Sequence, residues 1–197
     1  MEGTRAQRIM VYGVTGSGKT SLARQIGEST GLPWHSVDDE IGWLPGWTLR
    51  PPEEQRQRAE ELCAGETWVL DTAYGAWLDV PLARVDLIVA LDYPRWFSLQ
   101  RLIRRTVSRA VTQQEMCNGN TETWRQVLSR ESIIIWHFRS WARKRDRIRS
   151  WAADPQSVVQ RATAGGSLPH REPPDVVHLR SARQTRQWLR TLAPVRG

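Results

Sequence analysis

Lysine is nearly missing from this 197-residue sequence: Lys19 and Lys144 are its only two, and the remaining 26 of its 28 basic residues are arginines. Cysteine is as scarce. Cys63 and Cys117 stand far apart and match no metal-ligand spacing, which argues against a disulfide scaffold and a thiolate metal site. Two free thiols in a reducing compartment are the expectation. No window reaches 18 consecutive apolar residues, so no membrane-spanning helix is expected. The opening MEGTRAQRIMVY has no signal-peptide apolar region, and a cytoplasmic location is expected. Internal repeats and low-complexity tracts are absent too.

What is present is enough apolar residue, 40%, for a real core at this length, and an uneven charge. The net charge is +7. Residues 95–149 hold 13 basic and four acidic side chains, a net of +9, so the rest of the chain sums to −2. Clustered positive charge calls for an anionic partner, either phosphates on a small ligand or nucleic acid. The length favours one domain over 1–197.

Short apolar runs alternate with helical patterns. Strands are expected at Gln7–Tyr12, Pro33–Val37, Thr67–Asp71, Asp86–Leu91 and Val176–Leu179. Helices are expected at Ser17–Ser29, Pro51–Ala64, Pro94–Arg109 and from about Thr121 to Trp151. A last one is opened by the Ser181/Gln184 capping box and ends near Leu192. Pro51 and Pro52 with Glu53 and Glu54 suit a helix start. Ala164–Pro174, with its Gly-Gly and Pro-Pro pairs, reads as a loop. This alternation predicts an α/β fold with a parallel sheet covered by helices on both faces. Ligands in such folds bind beyond the carboxyl ends of the strands. Those ends carry Gly13, Asp38 and Asp39, Asp71, and Asp92.

Gly13–Thr20 reads GVTGSGKT and fits G-x-x-x-x-G-K-[ST]. Glycines at 13, 16 and 18 permit backbone angles that turn successive N–H groups, including those of Thr15 and Ser17, into one concavity. The helix that follows, from Thr20 and Ser21 onward, adds its positive end. Lys19 is placed to reach terminal phosphates and the Thr20 hydroxyl to ligate magnesium. Leu87–Asp92 (LIVALD) is an apolar strand ending in an acid, and Asp92 is expected either to hold magnesium or to cap the helix beginning at Pro94.

Around this loop the chain resembles the small adenylate-kinase-like P-loop kinases, in particular the branch often labelled DNA topology modulation proteins. The residues that carry the resemblance are the P-loop and His35, Asp39, Trp43, Pro45, Gly46 and Trp47. Trp68-Val69-Leu70-Asp71-Thr72-Ala73-Tyr74 and Leu91-Asp92-Tyr93-Pro94-Arg95-Trp96 complete them. Thr72-Ala73 departs from the Gly-Asn of that pattern. The spacing from His35 to Asp39 is one residue longer, so Asp38 and Asp39 compete for one role, with Asp39 ahead. The resemblance implies a P-loop NTPase fold with a five-stranded parallel sheet in the order 2-3-1-4-5. It also implies an acceptor-side segment at 38–66 and a helical and loop lid at 110–124 as insertions within the domain, and transfer of the γ-phosphate of ATP with magnesium to a small hydroxyl-bearing molecule or a nucleotide.

An acceptor bound above the second and third strands would lie near Asp38, Asp39 and Asp71, any of which could take a proton from an attacking hydroxyl or hold magnesium through water. The scarcity of arginine in that segment tilts the expectation to a hydroxyl acceptor, while Arg50 and Arg84 keep a nucleotide monophosphate open. Trp43, Trp47 and Tyr74 are candidates either for stacking on the acceptor or for packing the loop itself. Arg139 and Arg143, at i, i+4, are expected on the phosphates. By family position, Arg105 is expected near the adenine and Arg180, in the Leu179–Ser181 turn, beside it. The other reading of the basic segment is a regulatory or nucleic-acid-associated P-loop ATPase, which the absence of a binding motif disfavours. The oligomeric state is left open.

Overall fold

The computed structural model of the chain describes residues 6–112, 115–116, 119–121, 133–169 and 172–192. Its centre is a five-stranded parallel sheet built from β1 (Arg8–Gly13), β2 (Trp34–His35), β5 (Trp68–Leu70), β6 (Leu87–Leu91) and β9 (Asp175–Leu179). The spatial order is β2-β5-β1-β6-β9, which is 2-3-1-4-5 when only these five strands are numbered. The expected α/β P-loop fold is therefore present, with β1 at the centre, between β5 and β6.

Both faces of the sheet are covered, and the residues alternate accordingly. Ile9, Val11, Val69, Val89 and Leu91 enter one core with Leu22 and Ile26 of α1 (Lys19–Thr30). Met10, Tyr12, Trp68, Leu70, Ile88 and Ala90 enter the other. That second core also takes Ala59 of α2 (Pro52–Cys63), Val80 of α3 (Asp79–Leu82), Ile148 and Trp151 of α5 (Ile133–Ala153), and Val158 of α6 (Gln156–Ala164). A side-chain period of two in strands buried on both faces produces this split. α4 (Arg95–Thr112) follows β6, and α7 (Ala182–Leu189) closes the described chain with Ser181 Oγ accepting from Gln184 N at 3.2 Å, the expected cap.

Several elements were not expected. Asp38–Gly42 forms a π-turn directly after β2. Trp43–Leu44 (β3) and Thr48–Leu49 (β4) pair as a small antiparallel hairpin, as do Glu115–Met116 (β7) and Asn120–Thr121 (β8). α3 and α6 are also additions. The second long helix is described from Ile133, so the expected helical residues Trp124 and Leu128 lie outside the described residues, as do about half of the expected lid and Cys117. Cys63 is a buried free thiol, pushed up to about 12 by burial. Among the described residues no helix is long and apolar enough to cross a membrane.

Candidate functional site

The glycine loop leaves β1 at Gly13 and enters α1 at Lys19. Gly16 (φ 82°) and Gly18 (φ 94°) take the left-handed backbone that a concave loop of N–H groups requires. The loop is held by Val14: its carbonyl accepts from Ser17 Oγ at 2.8 Å, from Ser17 N at 3.2 Å, and from the Lys19 ammonium at 3.1 Å. Lys19 is half-buried, and burial holds its ammonium below the usual lysine range. Ser21, one residue into α1, is exposed.

α4 lies against the loop. A methyl group at Gly16 would stand 2.3 Å from the Ser98 carbonyl oxygen and 2.9 Å from Leu102 Cβ. Gly16→Ala therefore combines a clash against helix backbone with a positive φ. It should cost about 3 kcal/mol of stability, measured by denaturant unfolding. Further along α4, the Arg101 guanidinium covers Gly18 closely enough that a Cβ there would lie 2.9 Å from it, and it also lies over the Phe97 ring at 5.6 Å. Arg101 stands at i, i+4 from Arg105 on this helix, the spacing that makes both candidates for the transferred phosphate.

The acidic side converges on Lys19 and Thr20. Asp71, at the end of β5, is 2% exposed; it accepts from Val37 N at 3.0 Å and from the Thr20 hydroxyl. Burial raises its carboxyl to about 6, against the opposing effect of the Thr20 hydrogen bond; the nearby Asp38 charge adds to the rise. Asp38 accepts from the Tyr74 hydroxyl at 2.5 Å, and its charge reaches Lys19. Gly42 makes this approach feasible, because any Cβ there would meet the Tyr74 ring and hydroxyl. Asp39 instead accepts a short hydrogen bond from Ser36 Oγ. The π-turn directs the Asp38 charge to the P-loop lysine, while Asp39 is bonded to Ser36 just before the turn. His35 pairs with Glu40 at 2.8 Å.

Asp92 directly follows β6. It is 8% exposed and engaged by three side chains: Arg145 at 3.2 Å, Arg149 at 3.1 Å and His178 at 3.1 Å. The acid that meets Thr20 is Asp71, on the other neighbour of β1. Spacing could not separate these two strands, because both end in an acid and both flank β1.

The acceptor segment folds on itself. Trp43 and Trp47 pack edge to face with centroids 5.5 Å apart, across a turn in which Gly46 has φ 78° and Trp47 has φ 54°. Asn120 of β8 grips this hairpin: its side-chain carbonyl accepts from Trp47 N at 2.7 Å, and its amide donates to Leu44 O at 3.0 Å. Asn120 is 3% exposed. Asn120→Ala should lower the local stability of the 43–49 hairpin by about 2 kcal/mol, seen as faster amide exchange there with little change in exchange of the central sheet. Thr72 and Ala73, where the sequence departs from Gly-Asn, are buried in the wall beneath.

Most arginines of the basic segment have partners within the chain. Arg95 lies over Phe138 and Trp141, Arg145 over Trp141, and Arg147 donates to the Tyr12 hydroxyl at 2.9 Å. Arg105 is exposed on α4, and its charge reaches Lys19. Arg143 is exposed with its charge felt by Lys144 and Tyr12. Arg139 is exposed on α5, off the face that packs inward. That inward face carries His137, Ser140, Lys144, Ile148 and Trp151, none of the polar ones expected. His137 Nδ1 lies 3.0 Å from the Thr15 carbonyl. Arg180 follows β9 with its backbone N–H on Gln184 at 2.7 Å. Arg50 is paired with Glu54, and Arg84, just before β6, has its charge felt by Cys63.

Fold and site together define a P-loop α/β protein, with a phosphate loop flanked by carboxylates on one side and guanidinium and ammonium groups on the other. No family model matches the chain. It is 30% identical over 106 residues to the protein of Bacillus subtilis (strain 168) called "Uncharacterized protein YqaC"; the match covers 52% of this chain and 58% of that one, so the chain spans little more than half the length of this relative. Among solved structures, it is similar to a shikimate kinase from Bacteroides thetaiotaomicron, with 14% identity, 95% of this chain and 96% of that one covered, and a TM-score of 0.47. It is also similar to a gluconokinase from Sinorhizobium meliloti 1021, with 17% identity, 95% and 93% coverage, and a TM-score of 0.43.

Proposed function

We propose that the chain is an ATP-dependent phosphotransferase that moves the γ-phosphate to a small hydroxyl-bearing molecule. The observation that carries this reading is the convergence on Lys19: Asp71 with Thr20 and Asp38 with Tyr74 on one side, Arg101 and Arg105 of α4 on the other. Phosphoryl transfer needs little covalent help from a protein; positioning and charge stabilisation suffice. The P-loop amides and Lys19 would hold the terminal phosphates. Arg101 and Arg105 would neutralise charge as it spreads over the moving group. Asp38, tethered by Tyr74, would orient the attacking hydroxyl and accept its proton.

The donor set beside the loop fits magnesium, because the Thr20 hydroxyl and the Asp71 carboxylate are hard oxygen ligands. Among the described residues no group of three or more His, Cys, Asp or Glu could cage a metal. That also suits an ion that keeps water and phosphate oxygens. When bound there, magnesium would supply charge neutralisation for the β- and γ-oxygens. Asp71 takes over the role expected of Asp92.

A hydroxyl acceptor is favoured over a phosphate because the acceptor side presents carboxylates, and Arg50, its nearest arginine in sequence, is already paired with Glu54. The sequence resemblance to the adenylate-kinase-like kinases supports the same reading; its finer branch label does not name an acceptor. The nucleic-acid-associated ATPase loses ground, because Arg95, Arg101, Arg145, Arg147 and Arg149 are engaged within the chain. The test is ATP consumption with magnesium against sugars, polyols, hydroxy acids, nucleosides and nucleoside monophosphates. A hydroxyl compound should stimulate turnover. Stimulation by duplex DNA alone would overturn the reading in favour of the ATPase.

A further inference from the structure

We propose that Lys144 of α5 is a second ammonium contact for the γ-phosphate, standing across the P-loop from Lys19. This rests on the phosphotransferase reading and adds a residue that neither the motif nor the resemblance marks. Two contacts on the same helix fix where Lys144 stands. His137, seven residues before it, meets the Thr15 carbonyl in the P-loop at 3.0 Å. Arg147, three residues after it, donates to the Tyr12 hydroxyl on the strand leading into that loop, at 2.9 Å. His137, Lys144, Ile148 and Trp151 recur at i, i+7, i+11 and i+14, so Lys144 shares the face of α5 that packs on β1 and the loop.

The site around Lys144 is incomplete as it stands. Among the described residues no carboxylate comes within ion-pairing distance of it. The charges that act on it are Lys19, Asp38, Arg143 and Arg147, of which three are positive. Burial first, then Lys19, pushes its ammonium down to about 7. Neighbouring His137 is fully buried, with Nε2 lacking any hydrogen-bond partner. Like charges gathered beside a glycine loop suit a multivalent anion that they could share.

The choice of residue carries further information. The chain uses arginine at 26 of its 28 basic positions, yet the charge that acts most on Lys144 is that of the only other lysine, Lys19. An arginine would stay charged in the empty site; a lysine can give up its proton there and regain it when phosphate enters. Lys144 feels both Lys19 and Asp38, so it lies towards the acceptor side, where the γ-phosphate would sit between P-loop lysine and accepting hydroxyl.

The experiment is calorimetric titration of the whole chain and of Lys144→Met and Lys144→Arg with magnesium plus either a non-hydrolysable ATP analogue or ADP. Lys144→Met should weaken the ATP analogue by about 10- to 100-fold, the loss of one charge-assisted contact, and should change ADP affinity by less than about threefold. Without nucleotide, Lys144→Met should melt at the same or a higher temperature, since it removes a half-buried like charge. Lys144→Arg should recover part of the ATP-analogue affinity. Equal effects on both nucleotides, or a drop in both affinities with a lower melting temperature, would mean a structural lysine and overturn the proposal. If the unaltered chain binds neither nucleotide, both this proposal and the phosphotransferase reading fall. If it binds both and Lys144→Met does not discriminate, only the proposal falls.

Discussion

Lys19→Ala is expected to lower ATP turnover by about 10²- to 10³-fold or more, the range seen when one preorganised donor to a developing anion is removed, while leaving the fold intact. The asymmetry follows from what Lys19 touches. Its hydrogen bond is to the Val14 carbonyl of its own loop, which Ser17 supports twice over. Its ammonium is disfavoured by burial, so removing it relieves an electrostatic cost. Circular dichroism and thermal melting should match the unaltered chain. A variant with full turnover would contradict the assignment of the phosphate site.

Asp71→Asn is expected to stabilise the empty protein and to abolish turnover. Burial of Asp71 raises its carboxyl from 3.8 to about 6. The folded state therefore binds a proton more tightly than the unfolded chain does. Stability from this group is fully present below about pH 4 and is lost as pH rises towards and through about 6. The gap amounts to roughly 3 kcal/mol at neutral pH. Asparagine carries no charge to desolvate, and its carbonyl can still accept from Val37 N and the Thr20 hydroxyl. The variant should gain up to about that amount at pH 7 and show a flatter stability profile between pH 4 and 6. Turnover should fall by at least about 10²-fold, because the carboxylate proposed to hold magnesium beside Thr20 is gone. In the unaltered protein, magnesium must compete with a proton at Asp71, so its apparent affinity should weaken as pH drops below about 6. Urea unfolding across pH and magnesium titration of turnover measure the two effects. A destabilised variant with normal activity would contradict both the placement and the role.

These two variants separate what the site costs from what it does. Lys19, Asp71, Asp38 and Lys144 are brought together in a partly dehydrated cleft, and at Lys19, Asp71 and Lys144 burial is the largest influence on the proton. Such arrangements are characteristic of functional sites. Gly16 and Asn120 belong to the support: one lets α4 reach the glycine loop, the other ties β8 to the β3–β4 hairpin.

The sequence by itself determined the phosphate loop, the α/β alternation and the strands that end in acids. Glycine spacing, apolar runs and periodicity are local properties, and a loop that needs positive φ at Gly16 and Gly18 writes that need into its residues. Strand order came from family resemblance, and the structure has the same order. Which side chains each acid meets was decided only in three dimensions. Asp71 and Asp92 both end strands beside β1, but α5 places Arg145 and Arg149 on Asp92, whereas α1 places Thr20 on Asp71. Asp38 and Asp39 are adjacent in sequence, and a π-turn separates them, sending Asp38 towards Lys19. In sequence the basic segment is a row of arginines, yet the inward face of α5 carries His137, Ser140 and Lys144. Helical phase within a long, uniformly basic stretch has no local marker; packing of Ile148 and Trp151 against the sheet sets it.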